Sequence, residues 1–158
     1  MGACGHDEVT LRAVKDSDLD VFFVHQLDPD AVVMAAFPAR DREAFDAHWA
    51  KCRVAEGTVL RTILYKGHVA GNAVSWDQDG QTKVGYWLGQ DHWGKGIATV
   101  ALTQFLQLLP MRPLYAQAAK HNKGSIRVLE KCGFTFLEDG MHTLASGEEV
   151  AEVTYVLK

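Results

Sequence analysis

Val84-Gly85-Tyr86-Trp87-Leu88-Gly89-Gln90-Asp91-His92-Trp93-Gly94-Lys95-Gly96-Ile97-Ala98-Thr99 is the stretch from which the rest of the chain is read. A β-rich run enters a short loop with two glycines, and the loop opens directly onto a helical period carried by Ile97, Ala101, Phe105 and Leu108. At such a junction the first helical N–H groups have no internal partner, and the macrodipole adds partial positive charge, so the end attracts anions. Glycine at 94 and 96 removes the Cβ atoms that would hold a phosphate oxygen away from those N–H groups. Lys95 and Thr99 can add a charge and a hydroxyl. The same pattern also serves as an ordinary tight strand-to-helix turn. No Gly-Lys-Ser/Thr ending and no third glycine complete a Walker loop or a dinucleotide fingerprint, which disfavours ATP and NAD and leaves a pyrophosphate of another kind.

Upstream, Val59 to Tyr65 and His68 to Trp76 are strand-like runs joined by Lys66-Gly67. Asp77 to Gly80 is a second turn before Thr82 to Leu88, so three consecutive antiparallel strands are expected. Earlier still, Val9 to Val14 alternates as a strand. Asp16 can cap a helix with an apolar face of Leu19, Phe22, Phe23 and Leu27, which Asp28-Pro29-Asp30 ends. A second helix follows Pro38, with Phe45, Trp49 and Cys52 on its buried stripe. Downstream, Pro110 stops the central helix, Leu114 to Ala118 is a strand, and Asn122 to Cys132 is a helix with Gly133 as its left-handed cap. Phe134 to Leu137 and Glu149 to Leu157 are closing strands. The expected fold is α/β of the α+β kind: a mixed, mostly antiparallel twisted sheet of about seven strands flanked by about four helices. The last strand is apolar on both faces and is expected to be central or to lie at a dimer contact.

The second informative segment is Lys120-His121-Asn122-Lys123-Gly124-Ser125-Ile126-Arg127-Val128-Leu129-Glu130-Lys131-Cys132-Gly133-Phe134. Trp93-Gly94-Lys95-Gly96-Ile97-Ala98-Thr99, together with Asn122-x-x-Ser125 through Gly133-Phe134 at this separation, resembles the GNAT family of acyl-CoA-dependent N-acyltransferases. The likeness is closest to the branch acting on ribosomal-protein N-termini and its small-molecule relatives. It extends from about Val9 to Lys158 in element order, and its specific motifs span about Val84 to Phe134.

What the resemblance implies is a cofactor site and a reaction. The fourth strand splays from the fifth, and the pantetheine arm of acetyl-CoA lies against the main chain of Tyr86, Trp87 and Leu88. The pyrophosphate sits on Trp93, Gly94, Lys95, Gly96, Ile97, Ala98 and Thr99. Asn122 contacts the pantetheine, and Ser125 is the proton donor to the departing thiolate. The implied reaction is acetyl transfer from acetyl-CoA to a primary amine, a peptide N-terminus or a small-molecule amine, by direct attack in a ternary complex. Three positions depart from the family pattern: Asp91 replaces a common Gln or Arg, Leu129 stands where Tyr is frequent, and Lys83 where Glu is frequent. The general base is therefore left unassigned among His25, Asp28, Asp77, His142, Glu148 and a water chain. An acceptor pocket is expected from Phe23 to Phe45 and from the loop Gly140 to Gly147, with Val32, Val33, Met34, Phe37 and Trp76 as an apolar wall. The missing Tyr and Glu motivate a second reading, a non-catalytic acyl-CoA-binding sensor or structural module.

Composition sets the outer limits. At 158 residues and 17.4 kDa, without repeats or a linker, the chain is expected to form one domain over 9–158 behind a flexible leader, 1–8. Its 47% hydrophobic and 23% charged residues are those of a globular protein. Sixteen Lys and Arg against twenty Asp and Glu, net −4, speak against nucleic acid as a partner while permitting a local anion site. Cys4, Cys52 and Cys132 are odd in number and lack zinc-ligand spacing, so no metal and no disulfide framework are expected, and a reducing cytoplasm fits. No stretch is long and apolar enough for a bilayer and no signal peptide opens the chain, so no membrane partner is expected. The assembly is expected to be a monomer or a homodimer.

Overall fold

The computed structural model describes residues 5–36, 38–144 and 146–158, with His6 described by its backbone alone. Residues 1–4, half of the expected leader and including Cys4, thus lie outside the described residues, as do Phe37 and Ala145. A single 3-10 turn at His6–Glu8 leads into β1 (Val9–Arg12). There follow α1 (Asp16–Leu27), α2 (Pro29–Ala35), α3 (Arg42–Val54), β2 (Val59–Tyr65), β3 (His68–Gln78) and β4 (Gln81–Leu88). After them come α4 (Ile97–Gln107), β5 (Leu114–Ala119), α5 (Lys123–Lys131), β6 (Thr135–Thr143) and β7 (Glu149–Leu157).

The seven strands form one sheet in the order β1-β2-β3-β4-β5-β7-β6, antiparallel throughout except for β4 beside β5. Two hairpin turns set the register of its first half. Lys66 and Gly67 (φ 51° and 82°), then Asp79 and Gly80 (φ 55° and 79°), take the paired left-handed conformations whose twist matches two-residue hairpins. The larger core lies between the sheet and α4 and α5, where Ile97, Leu102, Phe105 and Leu114 are sealed against Val84 and Leu88. The smaller lies on the other face, where Phe22, Phe45 and Trp49 pack on Leu60 and Val74.

Several expectations are corrected. The described residues form five α-helices, because Asp28-Pro29-Asp30 ends one helix and starts another: the Asp28 carboxylate accepts the Asp30 N–H (3.0 Å) and Pro29 occupies the first turn, where its missing N–H costs nothing. Asp16 does not cap α1. The cap residue is Lys15, whose N–H donates to the Asp18 carboxylate at 2.8 Å, and Leu27 at the far end of α1 is exposed. The helix after Pro38 begins only at Arg42, capped by Asp41. Leu108 falls beyond α4 and is exposed, and Leu109 enters the core instead. The strand expected to stop at Leu137 runs to Thr143, so Gly140 to Thr143 pair with β7 and the hairpin loop shrinks to 144–148. Of the two places expected for the last strand, β7 takes the central one, between β5 and β6, and β1 and β6 are the edges of the sheet.

Candidate active site

The site begins where a ladder stops. β4 pairs with β5 only at Thr82↔Leu114 and Lys83↔Tyr115. From Val84 to Leu88 the β5-facing edge of β4 has no strand partner, although the strand remains paired with β3 along its other edge. Lys83 Nζ donates to Gln117 Oε1 (3.4 Å) across the last joined position. A cavity of about 440 Å³ fills the opening, within the range of about 300 to 1,000 Å³ usual for small-molecule sites.

β4 feeds that cavity from both faces. Val84 and Leu88 belong to the larger core and Tyr86 packs against it. Gly85 faces the other way, with the Trp76 ring 3.6 Å from where its Cβ would be. The loop then folds back through a 3-10 turn at Gln90–His92, and Trp93 Nε1 donates to the Leu88 carbonyl at 2.9 Å. Gly94 and Gly96 have φ of 75° and 80°, so the loop needs glycine at both. A Cβ at Gly94 would meet no protein atom, which leaves open the space a ligand would use. No side chain caps α4, so its first N–H groups are left for such a ligand.

α5 supplies the opposite wall. Asn122 Oδ1 accepts the Ser125 N–H at 3.1 Å, which starts the helix and fixes Ser125 at its first turn. Asn122, Ser125, Arg127 and Lys131 line the cavity, and among the described residues no carboxylate does. α2 covers the top with Ala31, Met34 and Ala35. It is tied there by His121 Nε2 to the Val33 carbonyl (2.8 Å) and by Gln90 Nε2 to Asp30 (3.2 Å).

Of the residues expected from sequence, Tyr86, Trp87, Leu88, Trp93, Gly94, Gly96, Ile97, Ala98, Thr99, Asn122 and Ser125 line this one cavity. Lys95 does not: its Nζ lies 5.8 Å from the centre of the Tyr65 ring. Among the described residues of the expected apolar wall, only Met34 lines the cavity; Val33 is exposed, Trp76 covers Gly85 instead, and Phe37 lies outside the described residues. Asp91 is exposed and outside the lining, while His92 is inside it. Leu129 is 3% exposed and belongs to the core, so α5 presents no phenol at that position. Sequence reading missed Arg127 and Lys131, whose only signal is a basic pair at i, i+4 on one face of α5.

None of the five candidate bases lines the cavity. Asp28 caps α2, Asp77 accepts from Thr82 Oγ1 (2.9 Å), His142 is on the edge strand, and Glu148 is exposed in the hairpin loop. His25 lies against Gly89, where a Cβ would come within 2.6 Å of Nε2. Burial pushes the His25 imidazole below its ordinary range, with His92 acting the same way and Asp91 opposing, and its Nδ1 has no partner. Two further buried donor or acceptor atoms at this end are unpartnered, Trp87 Nε1 and His92 Nδ1. Among the described residues, no cluster of His, Cys, Asp and Glu could hold a metal ion.

The donor set suits a phosphorylated, strand-like ligand: a free strand edge, an uncapped helix start and two cations on one side. Solved structures that share this fold include several in complex with CoA or acetyl-CoA. The chain is 14% identical to spermidine N-acetyltransferase from Vibrio cholerae in complex with CoA and spermine, over 96% of this chain and 95% of that one, with a TM-score of 0.82. It is 20% identical to the microcin self-immunity acetyltransferase MccE in complex with acetyl-CoA and AMP, over 96% and 92%, with a TM-score of 0.81. The ribosomal-protein α-N-acetyltransferase RimL in complex with CoA gives 18%, 95%, 93% and 0.77. No curated protein matches the chain significantly. The family model for the acetyltransferase (GNAT) domain matches residues 8–135, most of the sequence, and the chain therefore belongs to the GNAT acetyltransferase family.

Proposed function

We propose that this acetyltransferase moves the acetyl group of acetyl-CoA to a primary amine, a peptide N-terminus or a small-molecule amine, by direct attack in a ternary complex. The observation that carries the reading is the open edge of β4 running straight into the uncapped start of α4 within one cavity. The edge binds the pantetheine amides as a strand would. The left-handed loop and first turn of α4 bind the pyrophosphate, and Arg127 and Lys131 add positive charge in a chain of net −4. The relatives solved with CoA and spermine and with acetyl-CoA and AMP support a cofactor and acceptor of these kinds.

Rate comes first from placement, because the amine and the thioester carbonyl meet inside a walled cleft. Backbone N–H groups on the free edge of β4 polarise the carbonyl oxygen. An alkyl amine arrives largely protonated, with a reference value of about 10 for Lys and about 8 for an α-amine, so a proton must leave before attack. With none of the candidate bases in the lining, we assign that step to water at the cavity mouth. Ser125, at the first turn of α5, then protonates the departing thiolate. The reducing cytoplasm suits Cys52 and Cys132, both free thiols, and no helix among the described residues is long and apolar enough to cross a membrane.

The second reading, an acyl-CoA-binding module without turnover, draws on the buried Leu129 and on Lys83 bonded to Gln117. One experiment separates the two. CoA release from acetyl-CoA is followed across a panel of amines, with the acceptor's mass measured at the end. Acetylated product is the expected result. CoA binding by calorimetry without product from any amine would leave the binding module, and no affinity for CoA would overturn both.

A further inference from the structure

A polar row crosses three strands beside the point where β4 and β5 rejoin, and the reaction outlined above does not use it. Lys83 Nζ on β4 donates to Gln117 Oε1 on β5 (3.4 Å). Gln117 Nε2 donates in turn to Glu152 Oε1 on β7 (3.3 Å), with Thr154 Oγ1 at 3.5 Å. These contacts put all four side chains on one face of the sheet. Gly85 turns to the same face, because Lys83 and Gly85 alternate with the core residue Val84. Trp76, the cross-strand neighbour of Lys83, lies over Gly85 as an aromatic wall. The smaller core covers this face at β2 and β3, through Leu60, Val69 and Val74. Further along, Gln117 is exposed, Lys83, Glu152 and Thr154 are half-buried, and none of the four lines the cavity itself.

Length along the strand connects this row with the reacting atoms. The arm of CoA between pyrophosphate and sulfur has about a dozen chain atoms, the backbone of about four residues, or about 13 Å when extended. Laid on the free edge of β4 from the start of α4, it carries the sulfur from Leu88 back to Val84 and Gly85, next to the joined pair of Lys83 and Tyr115. An amine that attacks there from the face away from α4 and α5 arrives among Lys83, Gln117 and Glu152. The Gln117 amide shows its oxygen to the cation and its N–H to the carboxylate. An α-amino carboxylate has the same polarity at a similar length, with an anion at one end and N–H groups at the other. Resting on the acetyl-transfer reading, we propose that the acceptor is an α-amino acid with a free carboxylate, which displaces the exposed Gln117 amide: Lys83 binds the carboxylate and Glu152 accepts from the amine. A polyamine would meet the Lys83 charge with nothing to neutralise it. A peptide N-terminus would offer a neutral amide where Lys83 takes an anion.

The test offers each standard L-amino acid with acetyl-CoA beside its own α-amide, with spermidine as a third acceptor, and reads kcat/KM from acetylated product. For the amino acid used best, the free acid should exceed its amide and spermidine by about 10-fold or more, the size of a hydrogen bond to a charged group. Lys83→Met should bring acid and amide within about threefold of each other, whereas Lys83→Arg should keep the acid preferred. Glu152→Gln should raise KM for the amino acid about 10-fold. In all three variants CoA affinity by calorimetry should stay within about twofold of the wild type. A purely structural row would instead lower the thermal midpoint and leave the acid-to-amide ratio as it is in the wild type. Should a variant fail to fold, the wild-type comparison still decides. Amides or spermidine used as well as the free acids, or a ratio untouched by Lys83→Met, overturns the amino-acid assignment and leaves acetyl transfer in place. A wild-type chain that binds CoA and acetylates no amine overturns the transfer reading and the assignment together.

Discussion

The two edges of β4 have opposite fates. Towards β3 the strand is paired from Gly71↔Leu88 to Gln78↔Gln81 without a break. Towards β5 it is paired at Thr82 and Lys83 and then released. The first edge is so closely seated that a Cβ on Gly71 would collide with the Trp87 carbonyl. Buried backbone groups demand partners, so a strand closed on one side and open on the other concentrates all of that demand into one slot. The closed half gives rigidity and the open edge gives binding, and the two should respond to different substitutions.

The largest effect is expected in the closed half. Asp18 is 2% exposed and holds α1 to the sheet: Arg12 donates to both of its carboxylate oxygens (2.7 and 2.9 Å), Thr62 Oγ1 at 2.6 Å and the Lys15 N–H at 2.8 Å. Asp18→Asn leaves Arg12 without its charge partner and should cost about 3 to 5 kcal/mol in denaturant unfolding, while CoA affinity stays within about twofold. A tenfold change in affinity would mean the two edges are not independent. The same carboxylate carries a pH signature. Burial pushes its pKa up, but the Arg12, Thr62 and Lys15 bonds outweigh that and hold it at about 2, against an ordinary 3.8. Because the folded value is the lower one, this contribution is complete above about pH 4 and is lost as pH falls through about 2. It amounts to about 2 kcal/mol. Unfolding midpoints measured from pH 5 to pH 2 should fall more steeply in the wild type than in Asp18→Asn.

Next in size is the open edge. Gly96→Asp puts a Cβ on a residue with φ of 80° and a negative charge at the uncapped start of α4. Strain and repulsion together should weaken CoA about 100-fold, roughly 2.7 kcal/mol, by calorimetric titration. Thermal stability should change much less than in Asp18→Asn. An unchanged affinity would show that the anion does not sit at this helix end.

The closed half was the more legible from sequence, because local chemistry specifies it. Lys66-Gly67 and Asp79-Gly80 dictate their turns, and Asn122 and Gly133 bracket α5 through a side-chain oxygen and a left-handed φ of 96°. α2 escaped because Pro29 reads equally as a stop and as a first-turn residue, and only the fold decides which. β6 was read too short because nearly all of it is exposed: Glu138, Asp139 and His142 interrupt any alternation, and register comes from β7 alone. At the site, the glycine loop and Asn122-x-x-Ser125 were readable, since conformation and capping are local properties. Arg127 and Lys131 were not, because a basic pair on a helix looks like a solvated face until α5 is set beside the gap. The acceptor wall was misread for a similar reason: Trp76 is drawn to the space over Gly85, which no sequence period records.

Lys95 offers the smallest and finest test. A lysine between two glycines at a phosphate-binding turn invites the reading of a direct charge contact. Its Nζ instead rests 5.8 Å from the Tyr65 ring centre, a position that Lys66 shares at 5.3 Å, and it is absent from the cavity lining. If backbone N–H groups and the helix start carry the anion, Lys95→Ala should weaken CoA by less than about threefold, roughly 0.7 kcal/mol, the size of an exposed cation–ring contact. Arg127→Ala, which removes a cation that does line the cavity, should weaken it more. The reverse order would mean that Lys95 leaves the Tyr65 ring to meet the ligand, so that the open edge depends on a mobile charge as well as on fixed backbone.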